Sequence, residues 1–478
     1  MRGRSSIFRD LGILTAAQIA AQLLNLVALV YIARQVGARW FGVLQIGVAV
    51  SAYALITAEW GMFNTGIREM ARLERKDEVL AYARRHTGLL AALACIVLLV
   101  GGAVLPRFPF FDEDPWVYAL YLLAVVPQVW MLDWVGVGLE RMTWVGVAKV
   151  TRSLVYALAV LCLLAPLDGW LGWPAWRWVP ALLLLSLSAG DVVIGLWLTR
   201  WLGEPVWPVW GGRRDWRTRL GAAGPIGAAI VVMRLLLNMD VLVLGIFRQP
   251  EEVGAYAAAA KLLFVLVIAV EVLWSALLPR LSRLWQESPA RFRARLSLYF
   301  GLLVAGFAPA AAAGVAVGRP LMHAVYGQQF PGAGEVFQIL SVSYLLLAAS
   351  AFFGNALVAC DRQRDAFPPV LAGAAVGLIG TFLLAPRGGG VGAAWAMLGA
   401  HAVLLAATGW VARRILERAL LATVALCCGA AGLMGLAIGA WTGAWPLPAR
   451  ILAGAILYGA VIARPLWSWA RRARAVAA

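Results

Sequence analysis

Residues 11–64, LGILTAAQIAAQLLNLVALVYIARQVGARWFGVLQIGVAVSAYALITAEWGMFN, decide the fold. Two apolar stretches, 11–33 and 42–64, flank a short polar turn that carries Arg34 and Arg39. A helix needs about 20 apolar residues to cross ~30 Å of hydrocarbon, so this segment reads as a transmembrane helical hairpin. Outward from it the pattern continues at 86–105, 116–138, 145–165, 178–199, 220–246, 255–279, 298–318, 333–358, 368–385, 390–411, 419–440 and 447–468. That makes about fourteen spans in 478 residues, 62% of them hydrophobic, with a mean hydropathy of +0.81. No soluble domain could hide that much apolar surface. The first stretch is too long, and too rich in Gln and Asn, to be the h-region of a cleavable signal.

The formal charge of +17 invites a nucleic-acid reading, but its distribution points elsewhere. With a cytoplasmic N-terminus, 28 Lys and Arg fall in the inner connecting segments. Only eight fall outside: Arg34, Arg39, Arg107, Arg177, Arg248, Arg319, Arg387 and Arg450. This is the positive-inside pattern, with both termini in the cytoplasm and an even number of spans. The lipid bilayer is the expected partner, and nucleic acid is not. The five cysteines, Cys95, Cys162, Cys360, Cys427 and Cys428, sit in or at the ends of apolar segments without ligand spacing. They read as small core residues. The three histidines are too scattered to hold a metal, and no metal or other cofactor is expected. There is no GxxxxGK[ST] phosphate loop, no nucleophile–base constellation and no long external loop, so the chain is not expected to be an enzyme.

The chain also repeats itself. About 212 residues after LVALVYIARQVGARWFGVLQIGVAV comes LNMDVLVLGIFRQPEEVGAYAAAAKL, which sets Phe41-Gly42 on Val253-Gly254. The resulting organisation is a six-helix bundle over 1–205, an interfacial linker rich in Trp and Arg over 206–219, a second six-helix bundle over 220–415, and two further helices over 416–478. Both halves start on the same side, so they are expected to be related by a pseudo-twofold axis along the membrane normal. The fold class is therefore an all-α integral membrane protein.

Several stretches, in this order and spacing, are specific. They are RQVGARWFGVLQ (34–45), WGMFNTGIREMAR (60–72), LDWVGVGLERM (132–142), LLNMDVLVLGIF (236–247), VGAYAAAAKL (253–262), LLPRLSRLW (277–285), MHAVYGQQFPGAGEVFQIL (322–340) and GVGAAWAML (390–398). Together they resemble the polysaccharide-exporter branch of the multidrug/oligosaccharidyl-lipid/polysaccharide exporter superfamily. The resemblance implies a flippase of the bacterial cytoplasmic membrane. Its substrate would be a polyprenyl-pyrophosphate-linked oligosaccharide, an O-antigen or exopolysaccharide repeat unit, moved by alternating access. A polysaccharide polymerase and a chain-length regulator are the implied protein partners. Two relatives compete with this reading. Ion-coupled multidrug exporters commonly place a carboxylate in span one, and lipid II flippases place Arg there; neither occurs in 11–33.

A charge at mid-bilayer costs roughly 2.5–3.5 kcal/mol on insertion scales, so each charge within a span is a candidate. Thr15, Gln18, Gln22 and Asn25 share one face of span one. That face fits either a wet cavity that hydrogen-bonds sugar hydroxyls or a polar helix–helix seam. Span seven carries Arg234, Asn238 and Asp240, and span eight carries Lys261 and Glu271. Arg234 and Lys261 suit a pyrophosphate docking point, since the Arg fork grips phosphate oxygens bidentately. Equally, Asp240 and Glu271 could neutralise them as bundle-holding pairs. Lys149 and Arg152, one turn apart in span five, either attract the anionic headgroup or pair with Asp133 of span four. Asp191 stands in span six without an assigned role. Glu59 precedes Gly61 where the resembled family often has an acid, which implies a gating or structural place. His401, alone in span twelve, reads as a satisfied buried histidine.

Overall fold

The computed structural model describes residues 4–475 apart from 238, 417–419 and 441–445. Side chains are described from 16 to 463, except at 213, 225–226, 229, 231–238, 268, 275–276, 417–422, 441–445 and 447. All regular structure among these residues is helical. The chain forms two compact units, Met1–Gly254 and Ala255–Ala478.

The first unit begins with α1 (Arg4–Glu59), which holds both stretches of the opening hairpin. They are separated at Gly37, whose φ of 73° and ψ of 175° only glycine adopts freely. There follow α2 (Met62–Met70), α3 (Lys76–Val104), α4 (Pro115–Leu122), α5 (Val125–Gln128), α6 (Asp133–Gly138), α7 (Met142–Leu163), α8 (Val179–Leu202), α9 (Arg213–Leu237) and α10 (Met239–Phe247). Helix α11 (Pro250–Glu287) then crosses into the second unit. The predicted span four, 116–138, matches one membrane-crossing stretch, Pro115–Gly138, which is built of three short helices. Pro127 is the physical cause: it lacks an N–H and its ring clashes with the carbonyl four residues back, at Leu123, where α4 has ended. This break is what lets Asp133 open a new helix, α6.

The segment before α9 is more than a surface connector. Residues 204–210 lie along the end of α3. Val209 N–H donates to the Arg84 carbonyl at 2.8 Å, and the Arg84 guanidinium reaches the Pro205 carbonyl and the Glu204 carboxylate. Lys76 Nζ donates to the Trp201 carbonyl at 2.7 Å. Gly88 makes the approach possible, since a Cβ there would stand 2.1 Å from the Val209 carbonyl oxygen. Gly88→Ala is therefore expected to lift the linker off α3. Hydrogen exchange at the Val209 amide should accelerate about fivefold, as for loss of a bond worth roughly 1 kcal/mol. Unchanged protection of that amide would count against the contact.

The second unit contains α12 (Pro289–Tyr326), α13 (Ala333–Ala359), α14 (Gln363–Ala412), α15 (Leu420–Ala440) and α16 (Leu447–Ala475). Helix α14 joins two predicted stretches at Gly389, again at positive φ (55°). Phe300, Phe352 and Phe353 pack at its core, Phe300 stacked on Phe353, and α15 and α16 close on α12. There Tyr458 donates to the Ala305 carbonyl at 2.8 Å. His401 is buried with Nδ1 2.7 Å from the Ser343 hydroxyl.

Ten helical stretches among the described residues are long and apolar enough to cross a membrane. One cysteine expectation needs correction. Cys360 and Cys427 are buried, but Cys95, Cys162 and Cys428 are exposed on apolar helices. A small apolar thiol costs no more against hydrocarbon than it does in a core.

Candidate functional site

Among the described residues of the first unit, α1, α6, α7 and α8 bring several intramembrane polar groups together. On α1 the buried residues Ala17, Ala21 and Ala28 mark one side, and the exposed Ile19, Leu23 and Val27 the opposite one. Gln18, Gln22 and Asn25 run between them, each half-buried. The side chain of Thr15 lies outside the described residues. Helix α7 packs on α1, and Lys149 Nζ donates to Gln18 Oε1 at 3.1 Å. Among the described residues, Gln22 and Asn25 make no hydrogen bond through their side chains, and no carboxylate lies within ion-pair distance of Lys149. Lys149 is thus a half-buried cation steadied by a neutral amide.

Arg152, one turn further along α7, is placed quite differently. Its Nη1 and Nη2 grip Asp133 of α6 at 2.7 and 3.1 Å, and Nη2 also donates to Asp191 Oδ1 of α8 at 2.7 Å. Both aspartates are only 6% exposed in their side chains. Gly190 opens the way: a Cβ there would lie 2.1 Å from Arg152 Cγ. Of the two open uses of Arg152, the geometry places it in an ion pair with Asp133. It adds Asp191, to which sequence reasoning assigned no partner. The available signal was an acid in mid-span directly after a glycine.

A second cluster lies where the opening hairpin turns. Arg39 donates to Glu113 at 2.7 Å and to Glu251 at 3.0 Å. Beside it two backbones touch. A Cβ on Gly42 would stand 1.8 Å from the Pro250 carbonyl oxygen, and one on Gly254 would stand 2.0 Å from the Ala38 carbonyl oxygen. Pro250 is Ala38 plus 212, and Gly254 is Gly42 plus 212, the offset of the sequence repeat. The contact is therefore reciprocal, as across a local twofold axis. Trp40 stacks on Trp176 at 4.0 Å next to it, and Arg177 pairs with Asp114, which caps α4.

The remaining candidates are dispersed. Glu59 closes α1, half-buried before the Trp60–Gly61 turn. Asp240, at the start of α10, accepts from the Val241 N–H at 2.9 Å. Lys261 is half-buried on α11 and Glu271 is exposed further along it. Arg234 lies on α9 with its side chain outside the described residues, and Asn238 lies outside them altogether.

Comparison with known proteins places this arrangement. A solved lipid II flippase, MurJ, in an inward closed conformation has the same fold at a TM-score of 0.76 and 10% identity. The match covers 94% of this chain and 97% of that one. An inward-facing multidrug resistance transporter of the MATE family, in the MOP superfamily, matches at 0.56 and 13% identity over 84% and 96%. A MOP-superfamily transporter from Pyrococcus furiosus matches at 0.51 and 15% identity over 87% and 96%. None of the curated proteins matches the sequence. The sequence profile described as polysaccharide biosynthesis protein matches residues 7–285, more than half of the chain. The chain is therefore a multi-pass membrane protein with the fold of MOP-superfamily transporters, and it belongs to the polysaccharide biosynthesis protein family.

Proposed function

We propose that the protein is a flippase that carries a polyprenyl-pyrophosphate-linked oligosaccharide across the bacterial cytoplasmic membrane by alternating access. In this reading it has fourteen spans and both termini in the cytoplasm. Two six-helix halves, 1–205 and 220–415, are joined through 206–219 and followed by two further helices. Family membership supports the pathway, and the 28-to-8 charge asymmetry supports the orientation. One observation carries the site: Lys149 lies in a spanning helix with Gln18 as its neighbour and, among the described residues, no carboxylate within ion-pair distance. An ammonium held that way costs free energy unless an anion arrives, and a pyrophosphate supplies one. Gln18, Gln22 and Asn25 then exchange water for sugar hydroxyls. Arg234 and Lys261 extend the anion path, while Asp133, Asp240, Glu271 and Glu59 serve as ion-pair or gating groups. The product passes to a polymerase and a chain-length regulator, and the repeat unit is of O-antigen or exopolysaccharide type.

The test is export of the repeat unit in cells lacking their own flippase, with protein level in the membrane measured alongside. Lys149→Ala should lower export about tenfold or more at normal protein level, in line with loss of one charge-assisted contact. Lys149→Arg should retain most of it. Normal export by both Lys149→Ala and Lys261→Ala would overturn the anion site. Movement of lipid II in place of the oligosaccharide would favour the rival substrate.

A further inference from the structure

The three charges gathered around Arg152 do not balance. Two carboxylates, Asp133 and Asp191, meet one guanidinium, and all three lie in helices that read as membrane-spanning. Asp133 uses both oxygens on Arg152, whereas Asp191 uses only Oδ1. The side chain of Asp191, nine-tenths buried, also lines a cavity of about 400 Å³. Trp130, Leu132, Val192, Val206 and Trp207 make that cavity mostly apolar, with Ser188 and Thr199 as its other polar side chains. Lys149, on the same face of α7, is engaged by Gln18 on α1. The charged groups that act on Asp191 are Arg152 of α7 and Asp133 of α6. An uncompensated charge in such surroundings is neutralised rather than tolerated. When two carboxylates share one site, one of them holds a proton.

We propose that Asp191 is a proton-binding site, and that the transport cycle loads and empties it. With the proton on Asp191 the triad has no net charge. Releasing it through the cavity leaves a carboxylate, one free proton and a triad of net charge minus one. That change alters how tightly α8 is held to α7, so a proton gradient can bias the cycle. The proton site stands on its own geometry, and its coupling to transport rests on the flippase reading above.

Infrared spectroscopy of the full-length protein in lipid vesicles tests the site directly, because a protonated carboxyl has a carbonyl band that a carboxylate lacks. Wild type should show such a band at neutral pH. Asp191→Asn and Asp133→Asn should each lose it, since either leaves one cation facing one anion. Arg152→Gln should gain a second. A wild type without the band, or a band that survives in both Asn variants, overturns the site. Flipping in the same vesicles tests the coupling. A pH gradient should accelerate wild type and have no effect on Asp191→Asn. Acceleration by a sodium gradient at equal pH in its place overturns the choice of ion. No flipping of the lipid-linked oligosaccharide, with the infrared pattern intact, refutes the flippase reading and upholds the proton site.

Discussion

Gly42→Val is expected to abolish export. The new Cβ would stand 1.8 Å from the carbonyl oxygen of Pro250 and 2.9 Å from the amide nitrogen of Gly254. Both are backbone atoms, so no side-chain rotation relieves the clash, and the two hairpins must separate. Real Cβ atoms essentially never approach so closely, and overpacking of a tight contact costs roughly 1–3 kcal/mol or more. Gly254→Val should behave alike because its contact, with Ala38, is the mirror of the first. Arg39→Ala is the informative contrast. It removes two ion pairs, but Arg39 is 44% exposed and its partners Glu113 and Glu251 are 22% and 40% exposed. Pairs of that kind contribute about 0–1 kcal/mol, so export should fall little. The measurement is export in flippase-deficient cells, with accessibility of a cysteine placed at Gln249 reporting whether the hairpins have parted. Wild-type export by both glycine variants would mean that this seam need not close during the cycle.

Arg152→Ala should lower the amount of folded protein more than any other single removal of charge from the first unit. It leaves two buried carboxyl groups facing each other without their cation. Removing one partner of a buried pair costs roughly 3–5 kcal/mol, against a total stability of the order of 5–15 kcal/mol for an ordinary domain. The variant should therefore accumulate poorly in the membrane and melt well below wild type by size-exclusion chromatography after heating. Replacing the whole triad by Arg152→Leu, Asp133→Asn and Asp191→Asn should recover much of the loss, since neutral groups incur no such penalty. Lys149→Ala should leave the level near normal, because it strands only an amide. Equal losses for Lys149→Ala and Arg152→Ala would show that the triad is not what holds α6, α7 and α8 together.

These two predictions separate residues that look equivalent in one dimension. Lys149 and Arg152 are both cations, one turn apart on the same apolar helix, and Asp133 was open to either. Nothing in their spacing reveals that α1 offers an amide to one while α6 and α8 offer carboxylates to the other. The break at Pro127 turns Asp133 toward Arg152, and Gly190 clears the path to Asp191; both are packing facts. Gly42 and Gly254 could be aligned as repeat equivalents from the sequence, but not seen to touch.

What the sequence determined alone is whatever depends on local chemistry. The length and apolarity of each stretch dictate helices that cross a bilayer, because the other spanning structure that satisfies a backbone in hydrocarbon, a closed barrel, uses alternating strands of about 10 residues. The polar turn with Arg34 and Arg39 falls where the apolarity of the first two stretches is interrupted. The polar face Gln18–Gln22–Asn25 follows from the helical period. The tertiary structure decided the pairing: which cation is neutralised and which is left facing an amide, and where the linker lies. Pair energies depend on distances between residues up to 212 positions apart. Inside a low-dielectric membrane, displacement by a single helical turn decides whether a charge holds the fold together or remains available to an arriving anion.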